Sequence, residues 1–344
     1  MMQDDHPWEI IGHAWAVRYL RTALSRGRSA HAYLFAGPPA IGKGLLALRL
    51  AQALLCDTGG PDPCLQCRAC RRVAHGNHPD ARWVSLATQA DDEQQETASR
   101  ELKIGTIRAW QRDIDLRPFE AQRRVFVLDD AQALTDAAAN AMLKTLEEPP
   151  AYATLILIAQ GAGELLPTVV SRCRVLRLRP VPRALIAQAL QARYGLAADD
   201  AALIAAWSGG RIGWALRAVA EPELLEHQQQ RLAALIALSM AGPLERVRWA
   251  EERAREYREQ PATALEWLAL WQSWWRDVLL VRSGVATAIT HLDRRAELQE
   301  LAQHLSLDAV QTFLRRLEAA QQQLADNVNP QLVFENVALH VPGP

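Results

Sequence analysis

A short apolar segment followed by a glycine-rich turn constrains the fold of this chain more than any other feature. Residues 32–37 read AYLFAG, which is typical of a buried strand, and they run directly into GPPAIGKG. Gly37, Gly42 and Lys43 fit the phosphate-loop pattern G-x-x-x-x-G-K-[ST], in which backbone N–H groups and the lysine hold nucleotide phosphates. The next letters, LLALRLAQALLC, have helical composition. Strand, turn and helix in this order predict an α/β domain with a mostly parallel sheet.

Two positions of this nucleotide-binding pattern lack the groups that hydrolysis uses. The eighth loop residue is Gly44, so the hydroxyl that ligates Mg²⁺ is missing. The strand VFVLDD looks like a Walker B strand with Asp129 at the metal-side position, but Asp130 stands where an ATPase usually has glutamate. Aspartate is one methylene shorter, and catalytic geometry tolerates little displacement. We therefore predict weak or absent ATP binding within this chain, without turnover.

Further apolar runs extend the α/β pattern towards Pro180. RWVSL, RRVFVLDDA, TLILIAQ and RVLRLRP are predicted strands, and IGTIRAWQRDI and DAAANAMLKTLE are predicted helices between them. The polar segment 87–101, ATQADDEQQETASRE, is predicted to be a loop. After Pro180 only helical patterns follow. The sequence therefore predicts an α/β domain followed by all-α structure.

Three domains are predicted from these changes in pattern. Residues 1–180 form the α/β domain, 181–221 a small helical unit interrupted at WSGGRIG, and 222–344 a helical domain. One helix of the last domain has an apolar face at i, i+4, i+7 and i+11, which is more typical of a core or helix–helix interface than of a nucleic-acid stacking platform. The residues of this face are Trp267, Trp271, Trp274 and Val278.

A cysteine-rich insertion follows the first predicted helix. Its spacing is C-x7-C-x2-C-x2-C, formed by Cys56, Cys64, Cys67 and Cys70. Tight C-x2-C knuckles suit tetrahedral Zn²⁺, and four thiolates leave no open position for a substrate, so the predicted zinc site is structural. His75 and His78 lie just beyond and are alternative ligands, but four cysteines already complete the site.

Charge and hydropathy narrow the class of protein. The formal net charge is −1, so no overall basic field attracts this chain to nucleic acid, which disfavours a zinc-dependent nucleic-acid-binding module. No apolar run is long enough to suggest a membrane span. The first residues, MMQDDHPWEI, are acidic and polar and do not resemble a secretory signal. We therefore expect a cytoplasmic protein without a membrane partner.

Several motifs together carry a resemblance to a known family. They are HAYLFAGPPAIGKG, the four-cysteine insertion, NHPD, LTDAAANAMLKTLEEPP, TVVSRC and NVNPQLVFENV. In this combination the chain resembles the delta-prime subunits of bacterial DNA polymerase III clamp loaders over nearly its full length. The LEEPP-type and SRC motifs are shared by all ATPase-type clamp-loader subunits and identify only the superfamily.

The resemblance implies a fold and a function. The expected fold is an AAA+ P-loop-type domain with an inserted zinc module, a small helical lid and a C-terminal helical collar for oligomerisation. The expected partners are the gamma/tau motor subunits and the delta subunit in a hetero-pentameric ring, which places the sliding clamp on primed DNA. Arg172, with Ser171 and Cys173 of the SRC motif, would be an arginine finger that completes a neighbour's ATP site.

The alternative is an ATP-hydrolysing motor subunit of the same loader. Gly44 and Asp130 favour the non-hydrolysing stator, and so does Gly213, which by spacing occupies the position of a second-sensor arginine. Arg211 lies nearby and leaves that assignment open, and Gln160 near the first-sensor position is a weaker indication. The chain would belong to a DNA-directed DNA polymerase, a nucleotidyltransferase, by complex membership only, without polymerase activity of its own.

Overall fold

The computed structural model describes residues 7–93 and 101–343. The chain divides into two compact units, one formed by Met1–Ile186 with Gly210–Trp214 and the other by Ala187–Gly209 with Ala215–Pro344. The finer division into three domains stays a prediction. Among the described residues, no helix is both long enough and apolar enough to cross a bilayer.

The first unit is built on a five-stranded parallel sheet with the order β2-β3-β4-β1-β5. Its strands are β1 Ala32–Ala36, β2 Ala81–Val84, β3 Arg124–Leu128, β4 Ala153–Ala159 and β5 Arg174–Arg177. Every residue of β1 and β4 is buried, as expected for central strands covered on both faces. The predicted parallel α/β architecture is therefore confirmed.

The helices follow the chain in this order: α1 Ala14–Ser25, α2 Lys43–Leu55, α3 Arg68–Ala74, α4 Leu86–Glu93, α5 Ile104–Asp115, α6 Asp136–Glu147, α7 Pro167–Val170, α8 Arg183–Tyr194, α9 Ala198–Trp207, α10 Ile212–Ala220, α11 Glu223–Met240, α12 Pro243–Glu259, α13 Pro261–Arg282, α14 Arg295–His304, α15 Leu307–Ala325 and α16 Pro330–Leu339. Local sequence signals determine where several of these helices begin and end. The Thr135 side chain caps α6 by accepting from Ala138 N–H, and Pro149 follows soon after its last turn.

Successive side chains along the strands point to opposite faces of the sheet, and this divides the core of the sheet unit into two layers. Leu34 points to the face covered by α5 and α6, whereas Tyr33 and Phe35 point to the face covered by α1 and α2. This arrangement fixes the sheet between two helical layers. The loops at the carboxyl ends of the strands are thereby held at one edge, where ligands bind in open α/β sheets.

The loop prediction for residues 87–101 is wrong in its first half, because Leu86–Glu93 forms α4. Gln89 explains the difference. Its side chain is buried, donates to Glu101 O at 2.9 Å and accepts from Lys103 N–H at 3.0 Å and Thr106 Oγ at 2.6 Å. A polar residue with these long-range partners stabilises a short helix that composition alone does not indicate. Residues 94–100 of the same prediction lie outside the described part of the chain.

The second unit is helical, and its centre is aromatic. Trp271, Trp274 and Val278 of α13 are at most 1% exposed, so the core interpretation of the apolar stripe is confirmed. Trp267 is only partly buried, and the Arg253 guanidinium lies over its ring at 4.6 Å from the centroid. This cation–π contact covers the outer end of the stripe.

Candidate functional site

The phosphate-loop sequence follows β1, the strand that lies between β4 and β5. Gly37 must be glycine because a Cβ atom there would lie 2.5 Å from the carbonyl oxygen of Leu178. Gly42 has a φ of 103° and stands directly before α2, so it makes the left-handed turn into the helix. The loop therefore has the strand–turn–helix setting that a phosphate site requires.

Contacts within the sheet unit occupy the carbonyl groups of this loop. Lys43 Nζ donates to Gly37 O at 2.5 Å and to Pro38 O at 2.8 Å. His13 Nε2 donates to Ile41 O at 3.0 Å. Lys43, which should neutralise phosphates, thus has its hydrogen-bonding partners in its own loop. A nucleotide would have to replace those partners.

Gly213 contacts the same loop through its backbone. Its N–H donates to Ala40 O at 2.8 Å, and a Cβ atom at this position would lie only 2.9 Å from that oxygen. Glycine therefore has a packing reason here beyond the absence of an arginine. Arg211 lies over the Trp214 ring at 5.9 Å, whereas Gln160 is exposed directly after β4.

Carboxylates surround Lys43. Burial lowers the pKa of Lys43, and the negative charges of Asp129, Glu164 and Asp130 oppose that shift. Burial also raises the pKa of Asp129, which accepts a hydrogen bond from Asp130 N–H at 2.9 Å. The sequence did not single out Glu164, whose pKa burial also raises, because no motif marks this position. Without a cation, this acidic setting opposes a triphosphate.

The four cysteines of the insertion come together as predicted. Their Sγ atoms all lie within 4.8 Å of one another, with Cys56–Cys67 at 3.9 Å and Cys64–Cys70 at 4.0 Å. Ligands about 2.3 Å from a tetrahedral zinc ion are separated by about 3.8 Å. The cluster therefore has dimensions that fit a four-coordinate metal.

Backbone groups support the same interpretation of the sulfur cluster. N–H groups donate to three sulfurs, namely Cys64 to Cys56 at 3.4 Å, Cys67 to Cys64 at 3.3 Å and Cys70 to Cys67 at 3.3 Å. Hydrogen bonds from the N–H groups of Cys67 and Gln66 lower the pKa of the Cys64 thiol to about 6, which favours its thiolate form. Burial raises the pKa of the Cys67 and Cys70 thiols, so a metal ion would have to displace their protons on binding.

The two histidines beyond the insertion have other partners. His75 Nδ1 donates to Arg71 O at 2.6 Å, and buried His78 accepts from Asp80 N–H at 3.1 Å. Within the described residues, the cluster of possible metal ligands contains the four cysteines and neither histidine. The preference for four sulfur ligands is consistent with this geometry.

The SRC motif follows α7. Ser171 is the C-terminal cap of this short helix, and its hydroxyl donates to Thr168 O at 3.1 Å. Cys173 packs against the sheet core, and burial raises the pKa of its thiol to about 12. Arg172 stands between them with its side chain 32% exposed. A capped turn and a partly buried cysteine thus anchor an arginine that remains accessible.

Comparisons with known proteins place these features in a family. The family described as DNA polymerase III, delta subunit, matches residues 12–182, and its C-terminal counterpart matches 225–341. DNA polymerase III subunit delta' of Escherichia coli (strain K12) is 30% identical over 327 residues, which cover 94% of this chain and 92% of that protein.

Two other relatives match about half of this chain. Subunit delta' of Bacillus subtilis (strain 168) is 35% identical over 170 residues, so the matched segment spans 49% of this chain and 48% of that relative. DNA polymerase III subunit tau of Escherichia coli (strain K12) is 32% identical over 172 residues, 50% of this chain and 25% of tau. Because the match to delta' of Escherichia coli continues through the helical unit and the two family models match residues 12–182 and 225–341, the chain belongs to the delta' family of DNA polymerase III clamp-loader subunits.

Proposed function

We propose that this chain is a non-hydrolysing stator of the DNA polymerase III clamp loader and that Arg172 completes the ATP site of a neighbouring motor subunit. The observation that carries the proposal is the contrast between two sites. Lys43 is buried and bonded to its own loop at Gly37 and Pro38, whereas the Arg172 side chain is bonded to Glu147 and Thr168 but stays 32% exposed. The chain retains the arginine that would act in trans and lacks the hydroxyl at Gly44 that would ligate Mg²⁺ in cis.

The chemistry of the arginine supports this role. A guanidinium at the γ-phosphate stabilises the charge that develops during phosphoryl transfer, and such a finger contributes about 10³–10⁵ in rate in other systems. Gly44 supplies no hydroxyl for Mg²⁺, so the chain's own loop would bind nucleotide weakly and without turnover. Polymerisation would belong to other subunits of the holoenzyme.

The proposed assembly follows from family membership. The chain would form a hetero-pentameric ring with gamma/tau motor subunits and the delta subunit, through its helical collar at residues 222–344, and would act on the sliding clamp and primed DNA as part of that ring. We place this assembly in the cytoplasm. Zn²⁺ held by Cys56, Cys64, Cys67 and Cys70 would have a structural role, since four sulfurs fill a tetrahedral shell.

Reconstitution of the loader with Arg172→Ala tests the finger. We expect the ring to assemble. Its rapid phosphate release, which the clamp and primed DNA stimulate, should fall by the contribution of the one ATP site that Arg172 would complete. Arg179→Ala, which removes an exposed arginine a few residues away, is the matched control and should behave as wild type. Unchanged phosphate release in the Arg172→Ala loader would refute the finger role.

The motor alternative is tested on the purified chain. A stator gives no Mg²⁺-dependent ATP turnover, either as wild type or as Gly44→Ser, because one hydroxyl does not restore the second-sensor position. Substantial turnover by the wild-type chain alone would establish the motor alternative instead. Nucleotide binding is measured separately by titrating the chain with a fluorescent ATP analogue.

A further inference from the structure

Arg172 is held by its own chain. Its Nε donates to Glu147 Oε1 at 3.0 Å, its Nη2 donates to the same oxygen, and its Nη1 donates to Thr168 O at 2.8 Å. Glu147 is the last residue of α6 and belongs to the LEEPP stretch, to which the sequence assigned no function beyond the superfamily. The contact therefore joins two motifs that are separated along the chain.

These contacts leave part of the guanidinium available. The group has five N–H donors, and the bonds to Glu147 and Thr168 use one each on Nε, Nη2 and Nη1. Ser171 Oγ lies 3.4 Å from Nη1, at the long end of hydrogen bonding. One N–H on Nη2 thus has no partner among these contacts, and the long bond from Nη1 to Ser171 Oγ is the one that an incoming phosphate would most easily replace for bidentate binding.

We propose that Glu147 is a positioning residue for the Arg172 finger, an inference that rests on the proposed trans-acting role of that arginine. Glu147 does not touch nucleotide. It fixes the rotation of the guanidinium before the neighbouring nucleotide arrives, while Thr168 O holds the opposite terminal nitrogen. A long side chain loses rotamer freedom when it is ordered, and this contact imposes the order in advance.

The exposure of the pair indicates which property should respond. The Glu147 side chain is 50% exposed and that of Arg172 32%, so water screens the ion pair and its contribution to folding is small. The contribution of a finger depends instead on its placement at the moment of reaction. Removal of Glu147 should therefore affect the neighbour's chemistry more than the stability of this chain.

The experiment uses the reconstituted loader and measures the phase of phosphate release of which Arg172→Ala is expected to remove one site's share. At saturating ATP, we expect Glu147→Ala to slow this phase roughly two- to tenfold without changing the ATP concentration at half-maximal rate. Glu147→Gln should retain most of the rate because its amide oxygen can still accept hydrogen bonds from the Arg172 guanidinium. Glu148→Ala removes the adjacent exposed carboxylate and should match wild type. Thermal midpoints of the four chains should agree.

The outcomes separate this inference from the proposed function. If Arg172→Ala slows the phase but Glu147→Ala does not, the positioning role is wrong and the finger stands. A faster phase in Glu147→Ala would show that the carboxylate competes with phosphate, which also overturns positioning. Glu147→Ala should add nothing in the Arg172→Ala background, and additional slowing there would indicate a merely structural role. No effect of Arg172→Ala would remove both proposals.

Discussion

Asp80 holds the loop that precedes β3, and its replacement by alanine is a direct test of how this sheet unit is stabilised. The residue is 1% exposed and is the last letter of the NHPD motif. Its carboxylate accepts N–H bonds from Phe119 at 2.6 Å, Glu120 at 2.9 Å and Ala121 at 2.9 Å. Arg124 Nε lies 3.6 Å from the same group. Asp80→Ala leaves three amides and a guanidinium without this acceptor.

The expected loss can be worked out from these contacts. Removing one partner of a buried, hydrogen-bonded charge pair typically costs about 3–5 kcal/mol. Water can reach Glu120, which is at the surface, so the amides are partly rehydrated and the total does not reach three full charge-assisted bonds. We expect Asp80→Ala to lower the free energy of unfolding by about 3–5 kcal/mol. Asp80→Asn, which keeps one acceptor oxygen, should lose about 1–3 kcal/mol.

The contribution of Asp80 to stability should decrease in acid. Burial raises the pKa of Asp80, but the N–H groups of Glu120, Phe119 and Ala121 and the charge of Arg124 lower it further, so the net shift is downward from 3.8. A carboxyl group with a depressed native pKa contributes its stability above the unfolded pKa and loses it as pH falls through the native value. The difference between wild type and Asp80→Ala should stay constant down to about pH 4 and narrow below it.

Urea unfolding of the full chain, followed by circular dichroism, measures these differences. Amide hydrogen exchange at residues 119–121 reports whether the loop itself opens. Glu120→Ala is the control, because the Glu120 side chain pairs with Arg72 at the surface at 2.5 Å and should contribute less than about 1 kcal/mol. The reasoning would be refuted if the free energy of unfolding of Asp80→Ala were within about 1 kcal/mol of the wild-type value and amide exchange at residues 119–121 were unchanged.

Two further predictions concern the metal and the phosphate loop. Replacing Cys67 and Cys70 together by serine should release zinc and lower the thermal midpoint, because metal binding is coupled to folding; metal analysis that still finds one zinc per chain would contradict the ligand assignment. Gly213→Ala should destabilise the chain by about 1–3 kcal/mol, because the added Cβ would lie 2.9 Å from Ala40 O. Gly44→Ala, where a Cβ meets nothing within 4 Å, is the control, and equal thermal midpoints for the two variants would refute the packing argument.

Local sequence patterns predicted much of the fold because they report burial over a few residues. The buried strand at 32–36 and the turn into α2 follow from an apolar run, glycines and helical composition. The C-x2-C spacing likewise brought the sulfurs together, since knuckles of this kind are local. The loop prediction failed at α4 because Gln89 is stabilised by partners more than ten residues away.

The sequence by itself determined that the phosphate loop lacks a hydroxyl at Gly44 and that the chain carries the SRC arginine. Only the tertiary structure decided that Gly213 packs on Ala40, that Glu164 lies in the electrostatic surroundings of Lys43, and that Glu147 holds Arg172. The physical reason is the distance along the chain between these partners. A periodic pattern records which side of an element is buried, whereas the contact that gives a polar residue its role depends on how separate elements pack.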